Sequence, residues 1–144
     1  MAELQTRNKI RIALHLVWTT HSRLPLVTSE LERSIYRCIE SEARKLGCVV
    51  LARGGMPDHV HLLILLPTTI TVARLMKQVK GVSSSLARDL LGGASHFSWA
   101  EGYGVFSLSP AHRSATLRYI QRQKEHHATN KLWAECETPR EPVP

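Results

Sequence analysis

The run Asp58-His59-Val60-His61-Leu62-Leu63-Ile64-Leu65-Leu66 does most to limit what this chain can fold into. It is apolar and rich in branched side chains, opened by Pro57-Asp58 and closed by Pro67. That is the pattern of a strand buried on both faces. Side chains alternate across a strand, so Val60, Leu62, Ile64 and Leu66 point one way and need helices packed on them. His59 and His61 point the other way, about 7 Å apart along the backbone. Two imidazoles on one face of a rigid strand can chelate a divalent metal. Two hydrogen-bonded core histidines would look the same in isolation, so the rest of the chain has to decide.

Upstream, Ile10, Ile12, Leu14, Leu16 and Trp18 alternate with a more polar set that includes His15, which predicts a first strand. Ser29 with Glu32 forms a capping box for a helix whose apolar stripe is Leu31, Ile35, Ile39, Ala43 and Leu46, with Gly47 as its stop. Cys48–Ala52 reads as a second strand, and Gly54-Gly55 as the turn into the His strand. Thr71 caps a second helix with a predicted stripe of Leu75, Val79, Val82, Leu86 and Leu90, weakened at Gly81, where a kink can form, and ended by Gly92-Gly93. Phe97–Trp99 and Tyr103–Ser109 read as strand, with a turn at Glu101-Gly102. A last helix is expected from about Ser114 to Ala128, with Tyr119, Gln123 and His127 on one face.

This order predicts an α+β fold, a ferredoxin-like split βαβ sandwich with helices on one face of an antiparallel sheet, plus a C-terminal catalytic helix. The first strand and the His strand become central neighbours. The face carrying His59, His61 and His15 is left for a ligand or a further helix. The expected division is a single domain over residues 1–128 and a short mobile, acidic, proline-containing tail over 129–144.

The 144 residues carry a formal charge of +7, which favours a polyanionic partner, nucleic acid ahead of anionic membrane. Arg74, Lys77 and Lys80 recur every three residues along the second helix with no acid before Asp89, a spacing suited to a phosphate backbone. Three cysteines, Cys38, Cys48 and Cys136, have no CxxC spacing and point to a reducing, cytoplasmic setting. Neither an export signal nor a membrane span is expected.

A metal on His59 and His61 would keep positions open for phosphate oxygens and polarise a phosphodiester as a Lewis acid. Gln123 offers an amide oxygen as a third ligand. Tyr119, one turn earlier, would place a phenol beside the same ion, a nucleophile that needs activation because its reference pKa is near 10. Attack by tyrosine would conserve the bond energy in a phosphotyrosine for rejoining, with no need of ATP. His15 and His127 are candidates for supporting contacts to the site. Two rival readings are a histidine-triad-like nucleotide hydrolase, which wants a third alternating His where Leu63 stands, and a non-catalytic basic nucleic-acid-binding ferredoxin-like module, which wants aromatics on the open face. A third is a dimeric ferredoxin-like metal sensor.

Pro57-Asp58-His59-Val60-His61-Leu62-Leu63, Gly102-Tyr103-Gly104-Val105-Phe106-Ser107 and Tyr119-Ile120-Gln121-Arg122-Gln123-Lys124-Glu125-His126-His127 together resemble the single-tyrosine HUH transposases. These are small insertion-sequence enzymes and their REP-associated relatives. His15-Leu16-Val17-Trp18-Thr19-Thr20 with Arg23, and Val79-Lys80-Gly81-Val82-Ser83-Ser84, fit the same pattern, so the resemblance runs from Ile10 to His127. It implies that His59, His61 and Gln123 bind Mg²⁺ or Mn²⁺. It makes Tyr119 the nucleophile that attacks single-stranded DNA, becoming linked to the 5′ phosphate and freeing a 3′ hydroxyl. It also implies a substrate with imperfect hairpins, DNA contacts from Arg23 and Lys80, and a homodimer with shared active sites. Thr20-His21-Ser22 departs from the basic run usual after the first strand.

Overall fold

A computed structural model describes residues 8–93, 96–129, 132, 133 and 137. The elements are β1 (Ala13–Thr19), α1 (Ser29–Lys45), β2 (Val49–Met56), β3 (His59–Leu65), α2 (Val72–Leu90), β4 (Gly104–Leu108), α3 (Pro110–Gln121) and α4 (Gln123–Thr129), with a 3-10 turn at His21–Arg23. The four strands form one antiparallel sheet in the order β2-β3-β1-β4. The expected α+β sandwich is therefore the observed fold, with the first strand and the His strand at its centre.

The register of β3 follows from burial. Val60, Leu62 and Ile64 are fully buried with Leu16, Trp18, Ile35, Ile39, Leu75 and Val79 in the core between the sheet and α1/α2. A slip of one residue would exchange these side chains for imidazoles. Each branched side chain is worth about 1.5–3 kcal/mol when buried, so the slip would cost a large share of the roughly 5–15 kcal/mol that holds a domain folded. A smaller cluster of Ala52, Leu63 and Ile120 forms on the opposite face, where α3 lies across the sheet.

Several local readings are corrected. Gly54 and Gly55 do not turn. They pair inside β2 with His61 and Val60, and the reversal falls at Pro57-Asp58. The glycines are there for close approach. A Cβ on Gly54 would sit 2.0 Å from the Ile120 carbonyl oxygen of α3, and one on Gly55 would sit 2.3 Å from the His59 carbonyl oxygen. The cap of α1 is Thr28 in place of Ser29, and its side chain supplies no capping bond. The first strand begins at Ala13, which leaves Ile10 and Ile12 exposed.

Thr71 does cap α2, its hydroxyl accepting from the Arg74 N–H at 3.1 Å. The buried stripe of α2 runs through Leu75, Met76, Val79, Ser83 and Ala87, while Leu90 is exposed and Val82 and Leu86 are half-buried. Ser83 can be buried because its hydroxyl donates to the Val79 carbonyl at 2.6 Å and accepts from the Trp99 indole at 2.9 Å. The helix is a single element through Gly81. The Phe97–Trp99 segment contributes only a bridge from Trp99 to Thr20. The single last helix is two, broken at Arg122 (φ −108°, ψ 27°). No helix among the described residues is long and apolar enough to cross a membrane. Of the expected tail, residues 130, 131, 134–136 and 138–144 lie outside the described residues.

The close approach at Gly54 is testable. Gly54→Ala must push α3 off β2 or bend the strand, and overpacking of this kind typically costs about 1–3 kcal/mol. A lowered urea midpoint is expected. A midpoint equal to that of the unsubstituted protein would show that α3 does not lie against the strand as described.

Candidate metal and nucleophile site

On the face of the sheet away from α1 and α2, β1 and β3 present His15, His59 and His61, and α3 and α4 bring Tyr119, Gln123 and His127 over them. Tyr119 and Gln123 therefore reach the imidazole pair of their own chain. Gln123 Oε1 lies 3.1 Å from His59 Nε2 and 3.1 Å from His127 Nε2. The Tyr119 ring meets His61 edge-on at 6.0 Å. The His126 ring stacks on Tyr119 at 4.8 Å.

Each strand imidazole is oriented through its far nitrogen. His59 Nδ1 donates to Asp58 Oδ1 at 2.6 Å, and Asp58 is held on its other oxygen by Arg23 at 3.2 Å. His61 Nδ1 is 2.8 Å from His15 Nε2, and the two rings stack. If His61 is to offer a lone pair at Nε2, its proton sits on Nδ1 and donates to His15, whose own proton is then on Nδ1. His15 can play acceptor because burial, helped by His61, pushes its pKa down to about 3 and keeps it neutral.

Two residues that the sequence reading assigned no part complete the site. Glu137 places Oε2 2.9 Å from His59 Nε2 and 3.4 Å from His127 Nε2, and Oε1 3.4 Å from His61 Nε2. It also accepts a hydrogen bond from the Tyr119 hydroxyl. Trp133 lies flat on the Tyr119 ring, with centroids 4.1 Å apart and planes 6° apart, and its backbone N–H donates to the Tyr119 oxygen at 2.9 Å. Both stand beyond the last periodic helix, in a stretch with no pattern of its own, so local spacing carried no signal of the contact.

The charges here are strongly coupled. Burial works to raise the Glu137 carboxyl, but His59, His61 and Tyr119 together hold it well below the usual carboxylate range. Burial alone would lower His59, yet hydrogen bonds to Glu137 and Asp58 raise it overall. His61 is lowered, chiefly by burial. Tyr119 is pushed up to about 12 by burial and by Glu137.

This donor set fits a divalent cation. Two acceptor oxygens, from Gln123 and Glu137, converge on the same nitrogen of His59. One proton on that nitrogen serves them poorly, whereas a cation between the three atoms would serve them all. Among the described residues, the fully buried His61 Nε2 finds no hydrogen-bond partner. His59, His127 and Glu137 each offer a ligand atom within 4.8 Å of the others. Nitrogen and oxygen donors of this kind suit Mg²⁺, Mn²⁺ or Zn²⁺.

The predicted DNA-contacting residues fall in different places. Arg23 lies beside the site, joined to Asp58 and also donating to the Glu137 carbonyl at 3.2 Å. Arg74 and Lys77 are exposed on α2, in the helical layer on the other side of the sheet, and are not brought to the imidazoles. Lys80 is half-buried and donates to the Ala100 and Gly102 carbonyls at 2.7 and 3.0 Å, bracing the segment before β4.

The family model described as "Transposase IS200 like" matches residues 8–123. The ISDra2 transposase TnpA of Deinococcus radiodurans is 25% identical over 123 residues, covering 80% of this chain and 86% of that protein. Among solved structures, a proposed transposase from Deinococcus radiodurans R1 matches with a TM-score of 0.66 and 23% identity over 83% of this chain and 96% of that one. A REP-associated tyrosine transposase bound to a REP hairpin matches with a TM-score of 0.65 and 13% identity over 88% of this chain and 74% of that one. At these identities the two structures carry the fold.

The neutrality of His15 has a consequence for acid stability. Its folded pKa lies below the unfolded value near 6.5, so the unfolded chain takes up a proton that the folded chain refuses. The stability it confers is complete above pH 6.5 and is lost as pH falls toward 3, at no more than about 1.4 kcal/mol per pH unit. Urea midpoints measured in chelator at pH 7, 6, 5 and 4 should fall less steeply for His15→Leu than for the unsubstituted protein. Parallel acid limbs would contradict this account.

Proposed function

The chain belongs to the IS200-like transposase family, and on that premise we propose that it is a metal-dependent, single-tyrosine transposase acting on single-stranded DNA. The observation that carries the proposal is the meeting of Tyr119 and Gln123, from α3 and α4, with the buried imidazoles of β3 within one chain. In this reading His59, His61 and Gln123 hold Mg²⁺ or Mn²⁺. The bound ion supplies Lewis-acid polarisation of the scissile phosphate. His15 and Asp58 fix the imidazole tautomers, each by taking the far N–H, a contact whose loss typically weakens metal binding by about 10–100-fold.

Tyr119 supplies the nucleophile. Its oxygen bonds to phosphorus as the bond from phosphorus to the 3′ oxygen breaks. The phenolic proton leaves and the departing 3′ oxygen gains one. The product is a 5′-phosphotyrosine and a free 3′ hydroxyl, and reversal by another 3′ hydroxyl rejoins the strand. Tyr119 is 1% exposed and its pKa lies near 12, so it needs both uncovering and activation before it can attack. The DNA-bound REP-associated relative and the net charge of +7 support a hairpin-bearing DNA as the substrate. The absence of an aromatic on β3 counts against a stacking RNA-binding sheet, and Leu63 against a histidine triad.

The test is a covalent adduct. With single-stranded hairpin DNA and Mn²⁺, the protein should give a denaturation-resistant protein–DNA species. Tyr119→Phe should give none, and His59→Ala or His61→Ala should reduce it at least about 100-fold, the scale of losing a group that acts in the transition state. An adduct that survives Tyr119→Phe would remove tyrosine from the mechanism. Cleavage with no adduct would favour a hydrolase.

Subunit organisation is tested separately. We propose a homodimer, and the arrangement within one chain supports active sites that each use residues of a single subunit. Mixing Tyr119→Phe with His59→Ala protein should then leave adduct formation absent. Recovery toward about a quarter of the wild-type level, the share of sites that random pairing in a C2 dimer restores, would mean that α3 and α4 exchange between subunits.

A further inference from the structure

Glu137 lies outside the matched region, which ends at Gln123, yet it makes the densest set of polar contacts at the site. The separations between neighbouring donors can be compared with what an ion requires. Ligands about 2.1 Å from an octahedral Mg²⁺ or Mn²⁺ stand about 3.0 Å from their neighbours, the length of an octahedron's edge. Gln123 Oε1 is 3.1 Å from both His59 Nε2 and His127 Nε2, Glu137 Oε2 is 2.9 Å from His59 Nε2 and 3.4 Å from His127 Nε2, and Glu137 Oε1 is 3.4 Å from His61 Nε2. His59, His127, Gln123 and Glu137 are spaced as ligands of one cation, and His61 Nε2, buried and without a hydrogen bond among the described residues, lies 3.4 Å from the second Glu137 oxygen.

A place that Glu137 takes on such an ion is one that a substrate phosphate cannot take. Glu137 also takes the Tyr119 hydroxyl proton in a hydrogen bond while Trp133 N–H covers the same oxygen and the Trp133 ring covers the tyrosine face. With these contacts made, no phosphate can reach the nucleophile. We propose that Glu137 is an exchangeable ligand: with His127 it completes the metal centre of the resting enzyme and caps Tyr119, and it yields its place to the phosphate of the substrate. A carboxylate and a phosphodiester are both anionic oxygen ligands, so the exchange conserves the charge around the ion. Arg23, which donates to the Glu137 carbonyl and to Asp58, is placed to tether the resting arrangement. The proposal rests on the metal-dependent reading above.

The experiment has two arms, both on the full chain, with Glu137→Ala beside the unsubstituted protein and metal-free unfolding as a check on folding. Without DNA, Mn²⁺ affinity is read by calorimetry, and Glu137→Ala is expected to bind about tenfold more weakly or worse. With hairpin DNA at saturating Mn²⁺, the variant is expected to form the tyrosine adduct severalfold faster, because no carboxylate has to leave. Unchanged Mn²⁺ affinity would show that Glu137 is no ligand and overturn the proposal. Weakened affinity with slower adduct formation would make Glu137 a permanent ligand and overturn the exchange. If the unsubstituted protein forms no adduct at all, the transposition chemistry fails, while the affinity arm still decides whether Glu137 ligates.

Discussion

Alternation along β3 is the constraint on which the rest of the molecule depends. Val60, Leu62 and Ile64 enter the core against α1 and α2, and the same pleat turns His59 and His61 to the opposite face. Stability and chemistry are thus set by one register. The apolar layer cannot tolerate a slip, so the imidazoles are held where they are by side chains that never touch them. β1, paired antiparallel beside β3, extends the device by bringing His15 against His61.

The second face is closed by a different kind of contact. Only a glycine at position 54 lets the Ile120 carbonyl come down onto β2, and that approach sets the depth of α3. Tyr119 and Gln123 then arrive at the imidazoles as a consequence of backbone packing. The break at Arg122 separates α3 from α4, yet the Gln123 amide still donates to the Tyr119 carbonyl at 3.4 Å, so the two residues stay neighbours across it. The result is a polar cluster buried between sheet and helices, where an uncompensated carboxylate or imidazolium would be costly. Mutual contacts among His59, His61, Glu137 and Tyr119 offset that cost, which is why their protonation is so strongly interdependent.

Most of the sheet was legible from local pattern. Period two in residues 13–19 and 59–65, helical spacing in 29–45, and glycine stops at Gly47 and Gly92 are properties of neighbours in sequence, and the folded chain keeps them. The misreadings share a cause. Gly54-Gly55 looked like a turn because two glycines usually relieve backbone strain, whereas here they make room for a helix more than sixty residues away. The stripe of α2 shifted onto Ser83 because Trp99 and a helix carbonyl satisfy its hydroxyl, which no count of apolar spacing registers. Lys80 looked like one of three equivalent cations until the carbonyls of Ala100 and Gly102 claimed it.

The amino-acid order alone determined the strand with its paired imidazoles, the helices that must cover the other face, and the i,i+4 relation of Tyr119 to Gln123. Each follows from the geometry of a few consecutive residues. Only the tertiary structure decided that the final helices fold back over their own chain's imidazoles, that His15 and Asp58 orient them, and that Glu137 and Trp133 cover the tyrosine. Those contacts join residues far apart in sequence, and what selects them is the fit of charge and volume in a buried space that does not exist until the chain has folded.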